Sequence, residues 1–235
     1  MKAGPPRNND LTGNGTATAG FGLLHADDSL LVLDKPAGLL AVPGRGEGKQ
    51  DCLSARVQAA FPDALIVHRL DQATSGLMLM ARGAAMQRAL SRAFESREVH
   101  KRYVAVVEGC MPSSDAGNGN RGWGLIDLPI IVDWPRRPLR IIDNERGKPS
   151  QTRWRVLGFD AAANTTRVEL EPVTGRSHQL RVHLQALGHP ILGDALYAPA
   201  EVQAKAPRLL LHAAALRFTH PGSGLEMSFE SAPAF

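Results

Sequence analysis

The feature that most constrains this chain is a succession of strand-like segments in its second half with no helix among them. Tyr103 to Val107, Leu139 to Ile142, Thr152 to Leu157 and Thr166 to Leu170, the last with apolar–polar alternation, read as strands. Adjacent strands of this kind imply a mixed α/β (α+β) domain with a mainly antiparallel sheet flanked by helices. Leu209 to Phe218 and Glu226 to Phe229 close the chain as two more strands. A helix over 177–187 interrupts the series, with Leu180, Leu184 and Leu187 as its buried seam and Ser177 as its cap.

The first half alternates more. Leu30 to Leu33 is a short apolar strand, and Lys35-Pro36-Ala37-Gly38 is a turn. Asp51 opens a helix that carries Leu53, Val57 and Ala60 at helical spacing and ends near Pro62. Strands at 64–67 and 77–80 follow. A second helix over 84–96 places Met86, Leu90 and Phe94 on one face as a core stripe.

With 235 residues, of which 43% are hydrophobic, the chain can bury a core as one large domain. Residues 1–20 are rich in Gly, Asn and Thr and are expected to form a disordered tail, leaving 21–235 as the folded domain. Twenty-seven Lys and Arg against 23 Asp and Glu leave +4, a modest bias toward an anionic partner. Cys52 and Cys110 stand far apart, so neither a disulfide framework nor a zinc site is indicated, and reduced structural thiols are expected. No apolar run approaches the length of a membrane span, and the N-terminus has no signal-peptide pattern. A cytoplasmic monomer without a membrane or protein partner is the default expectation.

Several patterns carry no weight. Gly117-Asn118-Gly119-Asn120-Arg121-Gly122 matches a dinucleotide fingerprint, yet no helix opens there. His178, His183 and His189 are spaced five and six apart, which puts them on different helix faces, so no metal is expected. More informative is His68-Arg69-Leu70-Asp71-Gln72-Ala73-Thr74-Ser75-Gly76, flanked by strand-like runs, which sets Asp71 at a strand end. Such an acid serves either as a reacting carboxylate or as ordinary turn chemistry, because Asp and Ser bond nearby backbone N–H groups.

Three further segments are rich in specific polar groups: Arg97 to Tyr103, Thr174-Gly175-Arg176-Ser177-His178-Gln179-Leu180-Arg181-Val182-His183, and Gly188-His189-Pro190-Ile191-Leu192-Gly193-Asp194. Together with Lys35-Pro36-Ala37-Gly38-Leu39, the Asp71 box and Leu211-His212-Ala213, they occur in an order that resembles the RluA family of pseudouridine synthases, from about Leu30 onward. Leu128 to Pro138 and Gly147 to Thr152 look like the family's dual-specificity members, which modify 23S ribosomal RNA and a tRNA anticodon stem-loop. The resemblance implies the pseudouridine synthase catalytic fold. Some members carry an N-terminal S4 domain, for which ~20 residues are too few, since domains need about 50.

What the resemblance implies is chemically coherent. Isomerising uridine breaks the bond from ribose C1′ to uracil N1 and joins C1′ to C5, so neither a redox nor a group-transfer cofactor is needed. Asp71 is implied as the carboxylate, either attacking C1′ or removing the C2′ proton. Arg181 is implied as the cation that holds this carboxylate ionised through two hydrogen bonds, with His178 and Gln185 on the same polar stripe. Without the resemblance Arg181 reads as a solvated charge and Tyr103 as core. With it, Tyr103 stacks on uracil and helps move the C5 proton, and Leu180 packs on the base. Arg69 enters the stack vacated by the flipped base, unless it is a plain salt bridge. Lys101, Arg102 and Arg176 are expected phosphate contacts. The competing readings are an RNA-binding or chaperone protein on the same scaffold, and a sugar hydrolase. The hydrolase would need a second acid, for which Asp63 and Asp194 are available.

Overall fold

Two apolar runs, Leu30 to Leu33 and Leu77 to Ala81, lie side by side in the middle of the first half of the fold. The computed structural model describes residues 20–112 and 122–235, so the expected tail and nearly all of the Gly/Asn-rich insertion lie outside the described residues. The elements are β1 (Gly22–Ala26), β2 (Leu30–Lys35), α1 (Leu53–Ala60), β3 (Ala64–Ile66), β4 (Ser75–Arg82), α2 (Ala84–Glu95), β5 (His100–Glu108) and β6 (Gly124–Asp127). They continue with β7 (Ile130–Val132), β8 (Arg140–Ile142), β9 (Gln151–Asp160), β10 (Thr165–Pro172), α3 (Gln179–Ala186), α4 (Ala200–Gln203), β11 (Leu211–Thr219) and β12 (Glu226–Glu230).

One ten-stranded sheet runs in the order β1-β2-β4-β11-β5-β10-β9-β6, with β3 added beside β4 and β12 beside β11. Every pairing in it is antiparallel except β4 with β11. This is the mixed, mainly antiparallel architecture expected from the strand succession. β2 and β4 are covered on both faces: Leu30, Val32, Leu77 and Leu79 meet Leu90 of α2, while Leu31, Leu33, Met78 and Met80 meet Leu53 and Val57 of α1. A strand with no face in water has no polar set, which explains the unbroken apolar runs. On one side of β9 and β10, Trp154, Val168 and Leu170 pack with Leu180 and Leu184 of α3. Their other side carries the cross-strand pairs Arg155–Glu169 and Arg153–Glu171, and the sequence alternates accordingly.

At the parallel pairing Ser75 sits opposite His212, and Gly76 opposite Ala213. Gly76 has φ 109°, and a Cβ there would lie 2.4 Å from the Ala213 carbonyl oxygen. Only glycine lets the two strands approach this closely, and the approach anchors the turn that carries Asp71.

Three local expectations are corrected. Ser177 does not cap α3: the N-cap is His178 in a left-handed conformation, with no side-chain cap bond. The Gln179 side chain works there instead, its Oε1 accepting from the Arg176 N–H and the Thr174 hydroxyl. Leu187 follows the last helical residue and is 39% exposed, so it leaves the seam to Leu180 and Leu184. Leu139 to Ile142 forms no part of the main sheet, because β8 pairs with β7 in a separate two-stranded ribbon. β1, β6 and β7 had no clear period in the sequence, being five residues or fewer.

Candidate active site

The Asp71 box follows β3, runs into the start of β4 and is pinned from two sides. His68 Nε2 accepts the Leu79 N–H of β4 at 2.9 Å, and its ring stacks on Phe94 at 4.3 Å. Burial, with the Lys101 charge, pushes the His68 pKa down to about 3, so this imidazole stays neutral and keeps its acceptor. From another side comes Lys35, fully buried at the end of β2, whose Nζ donates to the carbonyls of Pro36, Leu39 and Gln72. Gly38 and Gln72 exchange two more bonds. A buried ammonium is thus spent on holding the 36–39 turn against the residue next to Asp71. Burial lowers its pKa to about 8, while the charges of Asp71 and Asp34 act the other way.

Asp71 opens onto a cleft of about 940 Å³, which is also lined by Arg69, Lys101, Tyr103, Arg176, His178, Leu180 and Arg181. The Asp71 side chain is 25% exposed, and its Oδ2 lies 3.6 Å from Arg181 Nη1 and 3.9 Å from His178 Nε2. The expected pair of hydrogen bonds from Arg181 does not go to Asp71. Arg181 Nε and Nη2 donate to Asp194 Oδ2 and Oδ1 at 2.7 and 2.5 Å, and only Nη1 is left to face Asp71. Nor does Arg181 lie on a polar stripe: it is 4% exposed, and its guanidinium stands 5.0 Å from the Tyr197 ring centre. Burial opposes its charge, yet the Asp194 carboxylate, with Asp71 further off, outweighs this and raises its pKa. The site therefore holds a permanent cation, clamped by one carboxylate and presented to another.

Tyr103 stands on β5 with its ring partly buried against Leu180 and its neighbours. Burial, and then the Asp71 charge, raise the pKa of its phenol, so the hydroxyl keeps its proton. Lys101 lies on the same side of β5, 5.7 Å from the Phe94 ring centre, and burial lowers its pKa. Arg102, one residue on, points to the opposite side, as strand geometry requires, and faces Glu169 and Glu171. The structure does not bring it into the cleft. Arg69 is exposed at the rim and has no carboxylate partner among the described residues. Arg176 is exposed too, its guanidinium turned toward the Pro149 carbonyl at 3.4 Å.

Asp63 is bound to Arg82 and does not line the cleft, and Asp194 is sealed behind Arg181. Of the other histidines, His183 bonds Thr152 and the Leu128 carbonyl, and His189 the Glu108 carbonyl. Cys52 is buried as expected, but Cys110 is exposed and so is not a core thiol. Sequence reasoning missed three residues of the site: Lys35, Asp194 and Tyr197. A signal existed for the first, a lysine closing an apolar strand before Pro-Ala-Gly. Asp194 ends the Gly188 to Asp194 segment, but nothing in the order of residues tied it to Arg181.

The chain is similar to several known proteins. The family pattern for RNA pseudouridylate synthase matches residues 29–186. The "Dual-specificity RNA pseudouridine synthase RluA" of Escherichia coli strain K12 is 51% identical over 212 residues, covering 90% of this chain and 92% of its own. Its namesake in Yersinia pestis is 47% identical over 213 residues, covering 91% of this chain and 99% of its own. Among solved structures, "Human RNA Pseudouridylate Synthase Domain Containing 1" superposes with a TM-score of 0.75 at 28% identity, over 95% of this chain and 87% of that one. On these matches the chain belongs to the RNA pseudouridylate synthase family, and its activity is the isomerisation of uridine in RNA.

Proposed function

We propose that Asp71 is the nucleophile of the isomerisation, and that the enzyme has the dual specificity its relatives are named for, acting on 23S ribosomal RNA and on a tRNA anticodon stem-loop. The observation that carries the reading is the Asp71 carboxylate, open to the cleft and 3.6 Å from a buried, clamped guanidinium. At that distance the guanidinium attracts the carboxylate without covering its oxygens. Asp71 then attacks ribose C1′ as the C1′–N1 bond breaks, and the freed uracil, held between Tyr103 and Leu180, turns to offer C5. Joining C5 to C1′ expels the carboxylate. A proton leaves C5 and one is gained at N1, so nothing is added or lost. The protonated Tyr103 hydroxyl is the group suited to assist that transfer.

Flipping the target uridine costs a few kcal/mol of stacking. Arg69, exposed and without an ion-pair partner among the described residues, is suited to enter the gap. Lys101 and Arg176 line the same cleft and are suited to phosphates. The reading takes the protein to be a cytoplasmic monomer. No helix among the described residues is long and apolar enough to cross a membrane.

Asp71→Asn is the direct test. It removes the reacting oxygen and few phosphate contacts, so turnover is lost while RNA affinity stays within about a few fold. Turnover by that variant contradicts the assignment. Mapping pseudouridine in ribosomal and transfer RNA from cells with and without the gene decides the substrates, and loss confined to one RNA class removes the dual specificity.

A further inference from the structure

His178 has backbone angles of φ 58° and ψ 13°, a left-handed conformation that residues other than glycine seldom adopt. This places its ring at the cleft beside Asp71, with the side chain 13% exposed. The ring is also oriented. Nδ1 lies 2.6 Å from the Tyr197 hydroxyl, whose oxygen accepts the Arg140 N–H at 2.9 Å. That hydroxyl has no other acceptor among the described residues, which assigns its proton to Nδ1 and leaves the imidazole proton on Nε2. Tyr197 is in turn fixed by Asp194, which accepts its backbone N–H at 3.2 Å and also clamps Arg181. One buried carboxylate thus orients both groups that face Asp71.

The Nε2–H has no hydrogen-bond partner among the described residues. Asp71 Oδ2 lies 3.9 Å away, too long for a hydrogen bond. Burial and the charges of Arg181 and Arg140 hold the ring neutral against the pull of Asp71, so it remains a donor with one free N–H.

Stereochemistry says what that donor meets. In a β-ribonucleoside the base and the 2′-hydroxyl lie on opposite faces of the sugar. A carboxylate displacing the base at C1′ arrives from the face opposite the base, the face that carries the 2′-hydroxyl. A donor flanking that carboxylate therefore faces O2′ before any atom of the uracil. We propose that His178 donates Nε2–H to the 2′-hydroxyl of the target ribose and makes the enzyme select RNA over DNA at the reacting nucleotide. Hydrogen bonds to the corresponding hydroxyl strengthen in the transition states of glycosidases, which share displacement at an anomeric carbon, and the 2′-hydroxyl is the group that separates the two nucleic acids. The inference rests on Asp71 acting as the nucleophile.

The test uses full-length protein and a synthetic stem-loop around a uridine that the wild type is shown to modify, made with either uridine or 2′-deoxyuridine at that position. Single-turnover rates are compared for the wild type, His178→Gly, which suits the left-handed backbone, and Tyr197→Phe, which leaves the ring but frees its tautomer. The wild type prefers the ribose substrate. His178→Gly loses about tenfold on it and little on the deoxy substrate, so the ratio of the two rates falls by about tenfold, the size of one hydrogen bond. Tyr197→Phe moves the ratio the same way by less. A wild type that does not discriminate, or variants that keep the wild-type ratio at whatever overall rate, overturn the contact. Turnover by Asp71→Asn instead overturns the nucleophile. An inactive Asp71→Asn beside an unchanged ratio overturns only the role of His178.

Discussion

Asp71 and Asp194 carry the same side chain and are used in opposite ways. Asp194 is fully buried and accepts from Arg181 Nε and Nη2 and from the Leu196 and Tyr197 N–H groups, so its charge is satisfied. Asp71 has a cation nearby and no hydrogen bond from it, which leaves its oxygens free for a substrate. Asp194→Asn keeps the shape but leaves the guanidinium without its counter-charge, so it should cost about 3–5 kcal/mol of stability. In the fraction that folds, kcat should fall on the order of 10²-fold as Arg181 shifts, with RNA affinity nearly unchanged. Denaturant unfolding and single-turnover kinetics read the two effects, and an unchanged kcat contradicts the positioning role. Lys35 has a pH signature of its own. Folded, it releases its proton near pH 8, whereas an unfolded chain keeps it to 10.5. Between those values the unfolded state binds more protons, so raising the pH favours the folded chain. Wild-type stability should therefore climb relative to Lys35→Met across that window in urea titrations, and a constant difference would speak against a buried, titrating Lys35.

At the scale of elements, the site depends on where strands are forced together. The parallel contact of β4 with β11 joins the Asp71 turn to the middle of the sheet, and Gly76 is what allows it. Gly83 offers an internal contrast, since it also has a positive φ, 77°, but a Cβ added there would meet nothing within 4 Å. With ψ 158° Gly83 lies in a region that essentially only glycine populates, so Gly83→Ala should cost about 1–3 kcal/mol, from backbone strain alone. Gly76→Ala adds a clash with backbone atoms that cannot swing aside, and should cost at least about 3 kcal/mol and reduce activity with it. Equal unfolding midpoints for the two variants would remove Gly76 from this role. The elements were legible wherever a period ran long enough. α2 shows its Met86, Leu90 and Phe94 stripe in the sequence and packs by it. β6 and β7 span only four and three residues and show no readable period.

Over the whole molecule, a net charge of +4 is too small to specify an RNA face, and the arrangement of charges matters more. Arg102, Arg153 and Arg155 are engaged with Glu169 and Glu171, gather around Trp123 and do not line the cleft, whereas Arg69, Lys101 and Arg176 do. If Arg69 fills the vacated stack, Arg69→Ala should lower activity on a structured stem-loop more than on a short unstructured oligonucleotide. Equal losses on both, measured as single-turnover rates, would reduce it to a general phosphate contact.

The linear order of residues was enough for the family and for the mixed and mainly antiparallel fold, and it singled out Asp71 as the acid of the proposed mechanism. Such features reside in local period and in boxes whose members are neighbours in the chain. Which carboxylate Arg181 grips was out of its reach, as were the burial of Lys35 beneath the Asp71 turn and the left-handed His178. Each of these is decided by contacts between segments far apart in sequence, β2 against the 68–76 turn and α3 against the 193–197 turn. Hydrogen-bond distance and burial, which set charge and orientation, exist only once those segments meet.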